Sequence, residues 1–102
     1  MIFLALALQL SAAWAIAQDR PDLVEQGRLL FSEQGCHGCH TVGKMGTPIA
    51  PDLSRVGSKY PLIYLANWLA DPAAQRPTAH MPKINLTEAE VRALSVYLAS
   101  LR

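Results

Sequence analysis

Only two cysteines occur in the 102-residue chain, and a histidine directly follows the second: Cys36-His37-Gly38-Cys39-His40. That spacing confines both thiols and an imidazole to one turn of backbone. Several chemistries use a subset of these groups. A Cys36–Cys39 disulfide suits an exported protein with an even cysteine count. A thioredoxin-like dithiol requires a βαβ pattern around it, and none is visible. A zinc centre requires four ligands, and beyond Cys36, Cys39 and His40 only His80 offers itself, without a second C-x-x-C or an H-x-x-x-H.

The reading that uses all three groups is covalent attachment of a haem. Each thiol adds to one vinyl group of the same porphyrin, and His40 is carried beneath the iron as its proximal ligand. Size argues the same way. A domain spanning residues 18–102 lies where a single hydrophobic core is marginal, and a permanently bound cofactor completes it. The chain carries a formal net charge of +1, which a ferric haem with two ionised propionates brings close to zero. No basic run exists to neutralise phosphates, which argues against a nucleic-acid partner.

The N-terminal stretch MIFLALALQLSAAWAIAQ is uncharged; all nine basic and eight acidic residues lie from Asp19 onward. It has the apolar middle and small-residue end of a secretory signal, with Ala13-Trp14-Ala15 and Ala15-Ile16-Ala17 both fitting the A-x-A pattern. No Lys or Arg precedes the apolar run, which is also short of the roughly 20 residues that span a bilayer. Residues 1–17 are therefore expected to be a cleaved signal or a retained N-terminal anchor. In both cases the domain stands outside the cytoplasm, in the periplasm.

The remainder reads as all-α, three to four helices with long irregular connections. A first helix is expected over residues 23–34, opened by Pro21 and Asp22 and stopped by Gly35. Val24, Gly27, Leu30 and Phe31 share one face of it. A glycine on that face is costly unless another helix crosses close to the backbone. Gly43, Gly46, Pro48, Pro51 and Gly57 favour loop over regular structure from Thr41 to Lys59. A second helix is expected over 60–70, with Pro61 in its first turn and Pro72 stopping it. Asp71 to Lys83 reads as loop. The third helix, over 87–101, announces itself through a Thr87–Glu90 capping box and a Leu86–Val91 hydrophobic staple. No alternating run predicts a sheet.

From Gly27 to Leu101 the chain resembles the class I c-type cytochromes. G-R-L-L-F precedes C-H-G-C-H, then follow A-P-D-L, H-M-P and the closing L-T-E-A-E-V-R-A-L-S-V-Y-L, in that family's order and spacing. The resemblance implies the cytochrome c fold wrapped around one haem c, and single-electron transfer rather than catalysis. It also implies Met81 as the distal iron ligand. A thioether there favours ferrous iron over what a second imidazole would give. Met45, five residues beyond His40, competes with it, as does His80, although neighbours on an extended strap point oppositely. The resemblance further makes the Pro51 carbonyl the acceptor for the ring N–H of His40, with Ala50 standing where the family usually has glycine. Gly27, Phe31, Leu94 and Tyr97 resemble the family's interface between first and last helices.

Other residues are candidates on chemical grounds. Tyr64 and Trp68, four apart on the middle helix, suit a haem wall with polar tips near a propionate. Arg55 is a second candidate propionate partner. His37 is expected to be solvated. Lys44, Lys59 and Lys83 are placed to steer acidic redox partners, such as an oxidase, reductase or dehydrogenase complex of a respiratory chain. Three functions compete: a mobile carrier, a subunit fixed by an uncleaved leader, and a haem enzyme or gas sensor with an open sixth position.

Overall fold

The computed structural model describes residues 20–102, so the leader lies outside the described residues. Within them the chain forms α1 (Pro21–Glu33), a 3₁₀ turn (Cys36–Gly38), β1 (Thr41–Val42), β2 (Met45–Gly46), α2 (Val56–Lys59), α3 (Leu62–Ala70), α4 (Pro72–Gln75) and α5 (Glu88–Ser100). The three expected helices are α1, α3 and α5, with ends displaced by at most two residues. The fold is mostly helical, as expected.

Local chemistry explains the boundaries. Pro21 supplies a helical φ at the start of α1, where its missing N–H costs nothing, and Gly35 ends the segment in the left-handed region at φ 76°. At α5 the capping box is complete: the Glu90 N–H donates to Thr87 Oγ1 at 3.1 Å, and the Thr87 N–H donates to Glu90 Oε1 at 2.9 Å. Pro61, expected in the first turn of α3, is instead its N-cap, with extended backbone and its carbonyl accepting from the Leu65 N–H.

The crossing of α1 over α5 organises the core. A Cβ added at Gly27 would stand 2.1 Å from the Ala93 carbonyl oxygen and 2.5 Å from Tyr97 Cβ. Only glycine lets the two backbones approach so closely. Beside this contact the Phe31 and Tyr97 rings meet edge to face, their centroids 5.6 Å apart. Val56, Leu65, Leu69, Leu94 and Leu98 complete one buried cluster with them, drawing α2, α3 and α5 together. Full burial of side chains of this kind stabilises by about 1.5–3 kcal/mol each.

The segment expected to be plain loop carries some regular structure. β1 and β2 pair antiparallel, Thr41 with Gly46 and Val42 with Met45. Gly43, at φ 60°, opens the two-residue turn between them. One helical turn, α2, follows, and its Gly57 N–H donates to the Leu101 carbonyl at 2.7 Å, tying it to the end of α5. Single-turn α4 sits in the second expected loop, capped where Asp71 accepts from the Ala74 N–H.

Candidate functional site

A cavity of about 820 Å³ opens between the end of α1, the 3₁₀ turn, the Ile49–Leu53 loop, α3 and the strap that follows α4. Its walls include Cys36, Cys39, His40, Pro51, Tyr64, Trp68 and Met81, so seven of the eight candidate site residues come together around one space. Its deep side is apolar, formed by Leu65, Leu69, Leu94 and Leu98. The volume lies within the usual range for cofactor sites.

Backbone bonds hold the cysteine turn in place. Cys36 accepts from the N–H groups of both Cys39 and His40, and Cys39 in turn accepts from Ile49 and Ala50. The His37 carbonyl accepts from Thr47, and the Thr41 carbonyl from Leu53. The loop is thus laced along the turn, which brings the Pro51 carbonyl oxygen to 2.7 Å from His40 Nδ1. A carbonyl only accepts, so Nδ1 carries the proton, and Nε2 keeps its lone pair in the neutral ring. Ala50 replaces glycine without strain, because no non-glycine residue among those described has a positive φ.

An ionic knot stiffens the same loop. The Asp52 carboxylate accepts from Ser54 Oγ at 2.7 Å, Thr41 Oγ1 at 2.9 Å and the Ser54 N–H at 3.2 Å. These bonds, Ser54 first, hold its carboxyl below the usual carboxylate range, with a smaller contribution from Lys59. Burial pushes the Cys36 thiol up, so it stays a neutral thiol rather than a reactive thiolate.

Met81 is half-buried, and its Sδ accepts a hydrogen bond from the Trp68 indole N–H at 3.2 Å. Met45 is 65% exposed in the hairpin and does not line the cavity. His80 lines the cavity from an exposed position. Arg55 is exposed at the N-cap of α2 and is not brought to the wall. Of the three lysines, Lys59 reaches the wall, whereas Lys44 and Lys83 do not. His37 departs from its expected solvation: it is half-buried, its ring edge-on to Phe31 at 4.7 Å.

The structure adds residues that sequence reading passed over. Tyr60 lines the wall and stacks on Tyr64 at 4.6 Å, and Tyr64 stacks on Trp68 at 6.3 Å. The four-residue spacing of these aromatics was the available signal. Arg76 also lines the wall, from the end of α4, and nothing in its local sequence marks it.

This set fits a haem. It offers two thiols for covalent links, a neutral imidazole nitrogen and a thioether as soft iron donors, and apolar walls for a porphyrin. The four-ligand zinc alternative finds no matching geometry, since no three His, Cys, Asp or Glu among the described residues are grouped to hold a metal ion.

Comparison with known proteins agrees. The family model for cytochrome c matches residues 24–102. The chain is also 35% identical to cytochrome c oxidase subunit 2 of Alkalihalophilus pseudofirmus, over 89 aligned residues. That match covers 78% of this chain but only 26% of the relative, so the chain corresponds to about a quarter of that protein's length. With the cysteine–histidine turn, the crossed terminal helices and the match over nearly all of the described residues, the chain belongs to the cytochrome c family as a class I, covalently haem-binding electron-transfer protein.

Proposed function

We propose that this chain is a single-electron carrier whose haem c is linked through Cys36 and Cys39, with His40 and Met81 as the axial iron ligands. The observation that carries the reading is the 2.7 Å bond from His40 to the Pro51 carbonyl, which fixes the tautomer that leaves Nε2 as the donor atom. The bound haem supplies a metal centre that changes oxidation state by one electron. The chain's own residues do the rest. Pro51 orients the imidazole, Trp68 holds the Met81 sulfur, and the apolar wall excludes water. Two protein ligands leave no position for a substrate, which favours carrier over enzyme or sensor.

Partners dock where the cavity meets solvent. Ile49, 74% exposed, and Tyr60, 43% exposed, line that rim together with Lys59. The domain works outside the cytoplasm, in the periplasm, passing electrons between complexes of a respiratory chain. The oxidase-subunit relative supports a terminal oxidase as the acceptor and gives some support to a fixed-subunit form. Among the described residues no helix is long and apolar enough to cross a membrane. Intact mass of the purified protein separates a cleaved from a retained leader.

The test of the core reading is acid–acetone extraction followed by spectroscopy. Haem should stay with the protein, and the oxidised protein should show the weak near-infrared sulfur-to-iron charge-transfer band. Haem that extracts cleanly would refute covalent attachment. Ready binding of carbon monoxide, with no such band, would move the sensor reading ahead.

A further inference from the structure

The cavity wall carries three residues that are charged at neutral pH: Asp52, Lys59 and Arg76. Asp52 is already occupied, since its carboxylate accepts from Thr41 and Ser54. Lys59, the other cation on the wall, makes no ion pair or hydrogen bond among the described residues, and its pull on Asp52 is the least of the influences on that carboxyl. Arg76 is unpaired as well. No hydrogen bond or ion pair engages its guanidinium among the described residues, whereas Arg20 and Arg28 are both paired, with Asp22 and Glu25.

The backbone around Arg76 is nonetheless held firmly. Its N–H donates to the Pro72 carbonyl at 2.9 Å, closing the single turn of α4. Its carbonyl accepts from the Ala79 N–H at 2.9 Å, and Pro77 follows it directly. Prolines on both sides and two backbone bonds fix where the side chain leaves the chain, five residues before Met81. A long cation launched from a rigid base loses less freedom on pairing than one on a mobile loop.

The haem of this family brings two carboxylates into the cavity, and of the two unpaired cations on the wall only Arg76 has the planar fork that meets a carboxylate in two bonds. Resting on the haem reading above, we infer that Arg76 binds a haem propionate, the role for which Arg55 was a candidate from the sequence. A guanidinium meets a carboxylate through two parallel N–H bonds, which anchors the group as well as neutralising it. Pairing also places a positive charge beside the iron, which favours the reduced state and raises the reduction potential. Tyr60, Tyr64, His40 and His80 share the wall, but none is a permanent cation.

The experiment uses the holoprotein, with the haem carboxyl carbons isotopically labelled through its biosynthetic precursor. Covalent haem content is measured first, then the midpoint potential and the redox-difference infrared spectrum. Arg76→Gln should keep its haem, lower the potential and shift the labelled carboxylate stretch. Arg76→Lys should restore most of the potential with a partial band shift, because it keeps the charge and loses the fork. Arg55→Gln removes the same charge away from the wall and should move neither signal. A haem-loaded Arg76→Gln with unmoved potential and carboxylate band overturns the inference, as does an equal shift in Arg55→Gln. Should Arg76→Gln load poorly, Arg76→Lys with a wholly unshifted carboxylate band overturns it equally. Failure of the underlying reading looks different: wild-type protein would itself lack covalent haem.

Discussion

The Trp68 indole N–H donates to Met81 Sδ at 3.2 Å, joining α3 to the strap that follows α4. This bond positions a sulfur that makes no other hydrogen bond among the described residues, and it withdraws electron density from it. With Met81 as the proposed axial ligand, a poorer donor sulfur would stabilise ferric iron less, so the bond would raise the reduction potential. Trp68→Phe keeps the ring and removes the N–H. The potential should fall, by at most about 40 mV if a neutral hydrogen bond is worth about 1 kcal/mol. A rise in potential, or no change in it, would show that the indole serves only as wall.

The α1–α5 crossing yields a stability prediction. At Gly27 the atom in the way is a backbone oxygen, Ala93 O, which cannot swing aside as a side-chain tip can. Gly27→Ala should therefore cost about 1–3 kcal/mol, toward the upper end, despite alanine's better helix propensity. Thermal unfolding of the holoprotein should drop by roughly 4–8 °C per kcal/mol. A Gly27→Ala protein as stable as wild type would show that the helices separate freely there.

The capping box offers a smaller, cleaner test. Thr87→Ala removes the acceptor of the Glu90 N–H at the first turn of α5. The expected cost is about 1 kcal/mol, within the usual range for such caps. Thr87→Ser should recover nearly all of it. Equal losses in both variants would place the effect in the threonine methyl group instead.

How much of this was readable beforehand depended on how local each cause is. α1 and α5 were legible because periodicity, proline, glycine and a capping box all lie within the helices they define. The β1–β2 hairpin was not, since strands of two residues are too short to show alternation, and only Gly43 hinted at a turn. α2 and α4 are single turns, below what a helical period reveals. At the site, Cys36, Cys39 and His40 were carried by one contiguous motif. Arg76 was passed over as a wall residue, and Arg55, the candidate propionate partner, stands away from the wall. The route of the strap depends on how α3 and α4 pack, which no short window records. His37 likewise looked solvated until Phe31 proved to be its neighbour.

Asp52 predicts an acid limb of stability. Its carboxyl is held below the ordinary value of about 3.9 by hydrogen bonds from Ser54 and Thr41. A depressed folded-state pKa adds stability that is fully present above the unfolded value and fades as pH falls through the folded one. Wild-type stability should therefore decline below about pH 4, and Asp52→Asn should flatten that limb. Because Asp52 also pins the loop bearing Pro51, the variant should broaden the spread of haem environments seen by paramagnetic NMR. An unchanged acid limb in Asp52→Asn would assign the decline to other carboxylates.

The sixth ligand decides between carrier and enzyme, and three side chains compete for it. Met81 is half-buried on the cavity wall with its sulfur already oriented by Trp68. Met45 lies outside the wall at 65% exposure, on a hairpin bonded to the proximal turn. His80 is on the wall too but exposed, whereas Met81 beside it is half-buried with its sulfur hydrogen-bonded. A six-coordinate iron with fixed ligands rearranges little on changing oxidation state, which suits rapid electron exchange. Met81→Ala should therefore abolish the near-infrared sulfur-to-iron band, lower the potential and open the iron to carbon monoxide. Met45→Ala and His80→Ala should leave the band in place. If His80→Ala, rather than Met81→Ala, opened the iron, the axial pair would be two imidazoles. The low potential of such a pair would then point to different redox partners from those proposed above.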